Sequence, residues 1–253
     1  MKPLHDTWLL FMRSIRLTLR NPVWAILGLF QPLCYMFLFA PLLRPLSNVP
    51  GFPPGGALTV FTPGILVMMG IFSTVFNGFG LIFDLQTGVL ERLRVTPVSR
   101  WALLLGLLLR DVLVLLVQCC LMVLVALLLG VHINLVGLLL TLGLVMILAI
   151  CLSSCSYALA ILLRDTNALS SFLNTLTLPA LLLSGILLPL TLAPPIIRNI
   201  ALINPLAYTV NAARLLFRGI IVDGTVLAGF IIIVVLAVLA MTWAVSSFKR
   251  AAA

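Results

Sequence analysis

Long apolar runs alternate with short polar islands along this chain. The runs cover 23–43, 59–83, 101–130, 135–163, 169–188 and 224–248. At about 1.5 Å per helical residue, each is long enough to cross the roughly 30 Å hydrocarbon core of a bilayer. The pattern predicts an all-α polytopic membrane protein with six transmembrane helices in one domain, 1–253. Ahead of the first run, residues 3–20 form an amphipathic segment. Leu4, Trp8, Phe11, Met12, Ile15 and Leu19 follow helical spacing, and Arg13, Arg16 and Arg20 share another face. A helix of this kind lies in the membrane interface with its arginines near anionic headgroups. Asn21-Pro22 ends it, because the residue before proline is pushed out of the helical region.

The polar islands carry most of the information. Residues 44–58 are rich in Pro and Gly and read as a loop, and Gly130-Val131-His132-Ile133-Asn134 reads as a tight turn. Arg164-Asp165-Thr166-Asn167 forms a second short loop. The 84–101 island holds the densest mix of charges away from the N-terminus. A short amphipathic helix fits Leu85 to Val95, and Thr96-Pro97 reads as an N-cap with proline at the first position of the next helix. This island is either an ordinary basic loop retained inside the cell or a docking helix that receives force from a soluble partner. Residues 189–222 are punctuated by Pro189, Pro194, Pro195 and Asn204-Pro205. An amphipathic helix from Leu206 to Gly219 follows, carrying Asn211, Arg214 and Arg218. A re-entrant hairpin or a pair of interface helices fits this stretch, shielded from lipid by the other spans.

Composition fixes the class. The chain is 63% hydrophobic and 8% charged, too poor in charge to cover a soluble domain of this length. Its net charge of +9 would suggest nucleic acid only if the basic residues shared a folded face. They lie between apolar runs, so topology explains them and no nucleic-acid partner is expected. Lys2, Arg13, Arg16, Arg20, Arg92, Arg94, Arg100, Arg164, Lys249 and Arg250 fall on one side of a six-span layout. Arg44, Arg198, Arg214 and Arg218 fall on the other. The imbalance places both termini and the 84–101 loop in the cytoplasm. No cleavable leader is expected, since arginines run through the first twenty residues and no small-residue cleavage site follows.

No catalytic constellation is legible. The chain has no Gly-rich phosphate loop with its lysine, and His5 and His132 sit near opposite membrane faces, so neither nucleotide hydrolysis nor a metal site is expected. The five cysteines all lie in apolar runs and read as packing thiols. Phe72, Ser73, Phe76 and Asn77 give the second span a mildly polar, aromatic side. That side suits either the path of an amphiphilic substrate or polar glue between helices. Ser153, Ser154, Ser156 and Tyr157 form a small-residue patch suited to close packing. Arg110-Asp111 is a charged pair well inside an apolar run, a functional candidate by default. If its helix starts at Pro97 and protrudes, Arg110 can instead snorkel to the headgroups. Apart from that pair the spans lack acidic or histidine residues, which disfavours an ion-coupled carrier, and no span has the polar face of an open channel. Anything moved must be driven from outside the membrane, and that favours the docking reading of 84–101.

Two motifs resemble one family. The run Thr87-Gly88-Val89-Leu90-Glu91-Arg92-Leu93-Arg94-Val95-Thr96-Pro97-Val98-Ser99-Arg100 resembles the cytoplasmic loop of type-2 ABC export permeases, of the daunorubicin-resistance and nodulation-export type. The segment with Leu188-Pro189, Pro195, Asn204-Pro205-Leu206, Tyr208, Arg214 and Gly219 is similar to that family's re-entrant region before the last span. The likeness covers nearly the whole chain.

The resemblance implies a permease subunit that pairs with itself or a sister permease and binds two copies of a separate ABC ATPase, which would hold the ATP and Mg. This chain would bind no cofactor and would not itself be an enzyme. Gly88, Val89, Leu90, Glu91, Arg92, Leu93 and Arg94 would contact the ATPase, with Thr96, Pro97 and Arg100 leading into the next span. The bacterial inner membrane is the expected location. The expected cargo is a drug-like molecule or lipid, with a polysaccharide or lipid-linked glycan as the alternative. A non-transport membrane subunit of an ABC-type assembly complex is the remaining alternative.

Overall fold

In the computed structural model of the chain, residues 2–20, 23–43, 57–88, 99–131, 133–186 and 193–250 are described. They form ten helices, with no strand among the described residues. These are α1 (Lys2–Arg20), α2 (Val23–Leu43), α3 (Ala57–Val75), α4 (Gly78–Gln86), α5 (Arg100–Leu128), α6 (Leu135–Leu163), α7 (Thr166–Leu182), α8 (Pro195–Ala201), α9 (Pro205–Phe217) and α10 (Gly224–Arg250). Four stretches are long and apolar enough to cross a membrane: α3 with α4, α5, α6 and α10. The α8–α9 pair, bent by 97°, makes a fifth if counted as one span. The expected first span coincides with α2, and the expected fifth is the 17-residue α7.

Local chemistry sets the boundaries. Asn134 caps α6, its side-chain oxygen accepting from the Val136 and Gly137 amides at 3.0 and 3.2 Å. Arg164 closes α6 with φ of +53°, in the left-handed region. Asp165 then caps α7 by accepting from Ala168 N–H at 2.7 Å. The helix after the polar island begins later than Thr96-Pro97 suggests. Ser99 is extended and its hydroxyl accepts from Ala102 N–H at 3.1 Å, so α5 starts at Arg100. Before the island, α4 ends at Gln86 and Gly88 has φ of +70°. A continuous helix from Leu85 to Val95 is therefore broken at Gly88, where only glycine adopts that backbone without strain. Residues 89–98 lie outside the described part.

α6 is the hub. Apolar on all sides, it packs against α3, α4, α5, α7, α9 and α10. α3 is buried at every position from Val60 to Ile71. Between helices in lipid there is no hydrophobic driving force, so close approach and polar contacts must hold the bundle. Gly137 of α6 meets the end of α9 so closely that a Cβ there would overlap the Leu216 carbonyl. Gly106 of α5 seats α1, and a Cβ there would lie 2.8 Å from that of Leu10. The face of α1 that meets α5 is narrow. Thr7 and Ser14 are buried, whereas Trp8, Leu17 and Leu19 are exposed together with Arg13, Arg16 and Arg20. The helix is amphipathic as expected, with Thr7, Leu10 and Phe11 meeting Gly106 of α5.

Candidate functional site

Three polar junctions interrupt the apolar bundle, and two of them meet on α6. The first is a break in the second span. Thr74 hydroxyl donates to Gly70 carbonyl at 2.5 Å, competing with the helical bond of that carbonyl. Asn77 N–H then bonds Thr74 carbonyl at 3.1 Å and Phe79 N–H bonds Phe76 carbonyl at 3.1 Å, both tighter than the α-helical pattern. The change of pattern strips Gly78 N–H and Val75 C=O of their helical partners. Ser156 of α6 takes both, accepting from Gly78 N–H at 2.9 Å and donating to Val75 carbonyl at 2.5 Å. Irregular backbone at membrane depth survives when protein satisfies it in this way. Asn77 adds a bond from its amide to Ser153 Oγ at 3.3 Å.

The residues proposed for a substrate path are all half-buried here. Ser73 donates to Gln118 Oε1 of α5 at 2.6 Å, and Phe76 stacks on Phe79 with centroids 5.9 Å apart. Ser73 and Asn77 thus turn to different helices, α5 and α6, while Phe72 and Phe76 keep part of their surface free. The Gln118 contact was not legible in advance. A lone glutamine in an apolar run was its only signal.

The second junction is the charged pair. Arg110 does not extend alone toward a headgroup layer. Its Nε and Nη2 donate to Asp111 Oδ1 at 2.9 and 2.6 Å, and Nη2 also donates to Tyr157 Oη at 3.0 Å. Tyr157 Oη in turn donates to Asp111 Oδ2 at 2.5 Å, closing a ring of three side chains. Tyr157 and Asp111 are buried, and the Arg110 side chain is 22% exposed. A buried charge survives only when paired and hydrogen-bonded, and this ring supplies both conditions. Arg13 of α1 and Arg110 both lie within electrostatic reach of Asp84 on α4. Positive and negative charges therefore gather near the end of the bundle from which the 84–101 island emerges.

At that same end Arg100 Nη1 donates to Phe248 carbonyl at 3.2 Å, tying the start of α5 to the last turn of α10. Of the proposed ATPase contacts, Gly88 follows the end of α4 and Arg100 opens α5. Val89, Leu90, Glu91, Arg92, Leu93, Arg94, Thr96 and Pro97 lie outside the described residues.

The third junction is at the opposite end. Arg214 of α9 is buried, and its guanidinium donates to three backbone carbonyls: Val60 at 3.2 Å, Gly185 at 2.7 Å and Ile186 at 3.2 Å. It pins the bent pair to the start of α3 and to the turn after α7, where Gly185 has φ of +75°. Asn204 works twice, capping α9 through Leu206 N–H at 3.0 Å and donating to Ala180 carbonyl of α7 at 2.6 Å. Pro205 follows at the first helical position. Pro189 lies outside the described residues. Just beyond, the Thr225 side chain first and then the Thr225 N–H, at 2.7 Å, hydrogen-bond Asp223 and hold its carboxyl below the ordinary aspartate range.

Among the described residues no three of His, Cys, Asp and Glu come together as metal ligands. The polar groups are organised to join helices, and the sequence matches a known family. The model of the ABC-2 type transporter family matches residues 5–217, most of the chain. The chain belongs to the ABC-2 type transporter family. A putative transport permease ycf38 of Cyanophora paradoxa is 30% identical over 204 residues, covering 78% of this chain and 69% of that protein. The ycf38 permease of Pyropia yezoensis is 29% identical over 224 residues, 83% of this chain and 73% of the relative. The daunorubicin resistance ABC transporter permease protein DrrB1 of Streptomyces coeruleorubidus is 30% identical over 165 residues, 64% and 58% of the two chains. This ABC-2 protein is accordingly a multi-pass membrane protein of a transporter family, and its relatives are named transport permeases.

Proposed function

We propose that this ABC-2 permease exports a hydrophobic or amphiphilic compound, a drug-like molecule or a lipid, from the cytoplasm or inner leaflet. A separate ABC ATPase drives it. Two permease chains, identical or sister, pair with two ATPase copies, and the 84–101 island docks on the ATPase with the termini on the same side, in the cytoplasm of a bacterial cell. The likeness to a daunorubicin-resistance permease is the observation that carries the cargo class. The ATPase partner follows from family membership together with a sequence that has no phosphate loop of its own.

The test is co-expression with ABC ATPase subunits from the same organism. A stable complex is expected, and Glu91→Lys should abolish it while the permease still inserts. Recovery of the complex by the Glu91→Lys chain would defeat the docking role. Vesicles holding only the two proteins should accumulate daunorubicin when ATP is present. Failure with daunorubicin but ATPase stimulation by lipid would move the cargo to the lipid class.

A further inference from the structure

We propose that Ser156 is a positioning residue for coupling: it holds the break in the second span and so seats α4, the helix that leads to the island, on the bundle. The inference rests on the docking role proposed above for 84–101. Ser156 is buried and uses its one hydroxyl twice, on Gly78 N–H and on Val75 C=O, the two groups that the break sets free. Gly78 leaves no room for anything else, because a Cβ there would stand 2.6 Å from the Ser156 carbonyl and 2.8 Å from its hydroxyl. The first residue of α4 is therefore seated directly on α6.

What lies on either side of this seat differs. α3 is buried throughout its middle and is fixed in the core. α4 has nine residues and buries Leu81 and Ile82 in the core where it packs on α6 and α7, but it exposes Phe83 at 65% and has open space beside Gly80. Its last turn runs through Thr87 and Gly88 straight into the island. A continuous helix would carry any push on the island directly into α3, whose middle is buried. With the break, α4 is a lever about 13 Å long, and a tilt of about 20° displaces Gly88 by about 5 Å while α3 stays in place. One turn of α6 also holds what such a lever would act upon. Ser153 binds Asn77, Ser156 binds the break, and Tyr157 binds the Arg110–Asp111 pair of α5. Motion of α4 about Ser156 is thereby passed to α5 through adjacent residues of a single helix.

The test measures the lever itself. Spin labels are attached through a genetically encoded azido amino acid at Phe83 on α4 and Leu139 on α6, both exposed, leaving the native cysteines in place. In nanodiscs the wild-type chain alone should give one narrow interspin distance. Ser156→Ala removes both bonds of the hydroxyl and should add a second distance whose share rises at least about tenfold, the factor that corresponds to a single lost buried hydrogen bond of ordinary strength. Ser156→Thr, which keeps the hydroxyl, should restore the narrow distance. Gly78→Ala, which forces the same contact apart from the other side, should reproduce the second distance and carries the test if the Ser156→Ala chain does not insert. A Ser156→Ala distribution equal to wild type, or a Ser156→Thr distribution as broad as Ser156→Ala, overturns the proposal. In the complex with the ATPase, ATP should shift the wild-type distance, and Ser156→Ala should lose that shift although the complex is recovered. If the wild-type chain forms no complex with any ABC ATPase, the coupling reading fails, and the measurements on the chain alone still decide whether Ser156 holds α4.

Discussion

Tyr157→Phe isolates the charged ring at the α5–α6 contact with little change of shape. The substitution deletes one oxygen and with it two bonds, to Asp111 Oδ2 at 2.5 Å and from Arg110 Nη2 at 3.0 Å. Hydrogen bonds to charged groups contribute about 1.5–3 kcal/mol each to stability. Two corrections reduce their sum. Arg110 keeps both bonds to Asp111 Oδ1 and, at 22% exposure, turns its freed N–H toward the outside. Asp111, with its side chain only 2% exposed, has no such recourse, and its Oδ2 is left without its partner. The net cost should be about 2 kcal/mol, close to the penalty for one buried, unsatisfied charged acceptor. The assay is equilibrium unfolding in mixed micelles across a cycle of wild type, Tyr157→Phe, Asp111→Asn and the double variant. Groups in one network should couple by about 1 kcal/mol or more, so the double variant should cost clearly less than the sum of the single ones. A Tyr157→Phe chain within about 0.5 kcal/mol of wild type, or an additive cycle, would refute the ring as an energetic unit.

Three further outcomes are expected. Gly137→Ala places a methyl in the Leu216 carbonyl and must separate α6 from α9, at a cost of about 1–3 kcal/mol or more; a lower unfolding midpoint in micelles checks it. Arg214→Met leaves three backbone carbonyls without their donor and should cost about 2–4 kcal/mol, with Arg214→Lys recovering only part because one ammonium cannot span acceptors on two segments; the same titration reads both. Asp223 should titrate below the ordinary aspartate range, so its contribution is present at neutral pH and fades as pH falls through that lowered value; carboxyl carbon chemical shifts followed against pH give the midpoint.

The expected segments and the observed helices agree where the signal is local. The first apolar run and α2 share both bounds, and the runs at 135–163 and 224–248 match α6 and α10 within two residues. Asn134, Arg164-Asp165 and Asn204-Pro205 end or start helices as their chemistry demands. Disagreement appears where two local signals compete. Thr96-Pro97 is a legitimate helix start, yet Ser99 is the capping residue, and α4 ends at Gln86 with Gly88 at positive φ, inside the Leu85–Val95 stretch whose spacing suggested one helix. The second span reads as one run because a break inside it costs nothing in hydropathy. Thr74, Asn77 and Gly78 mark its place only once Ser156 is known to lie opposite.

The sequence by itself determined that this is an all-helical, multi-pass membrane protein of the ABC-2 kind. Apolar run length, charge placement and two motifs are properties of the chain read in order, and lipid enforces them segment by segment. Only the tertiary structure decided which polar groups meet. Arg110-Asp111 looked able to snorkel until Tyr157, far along the chain, proved to hold both residues. Arg214 looked like a charge on an amphipathic face until three carbonyls from two other segments closed around it. The physical reason is common to both. In lipid a buried polar group must find its partner within the protein, and the partner's identity depends on which helices lie side by side, a relation that no local pattern of residues encodes.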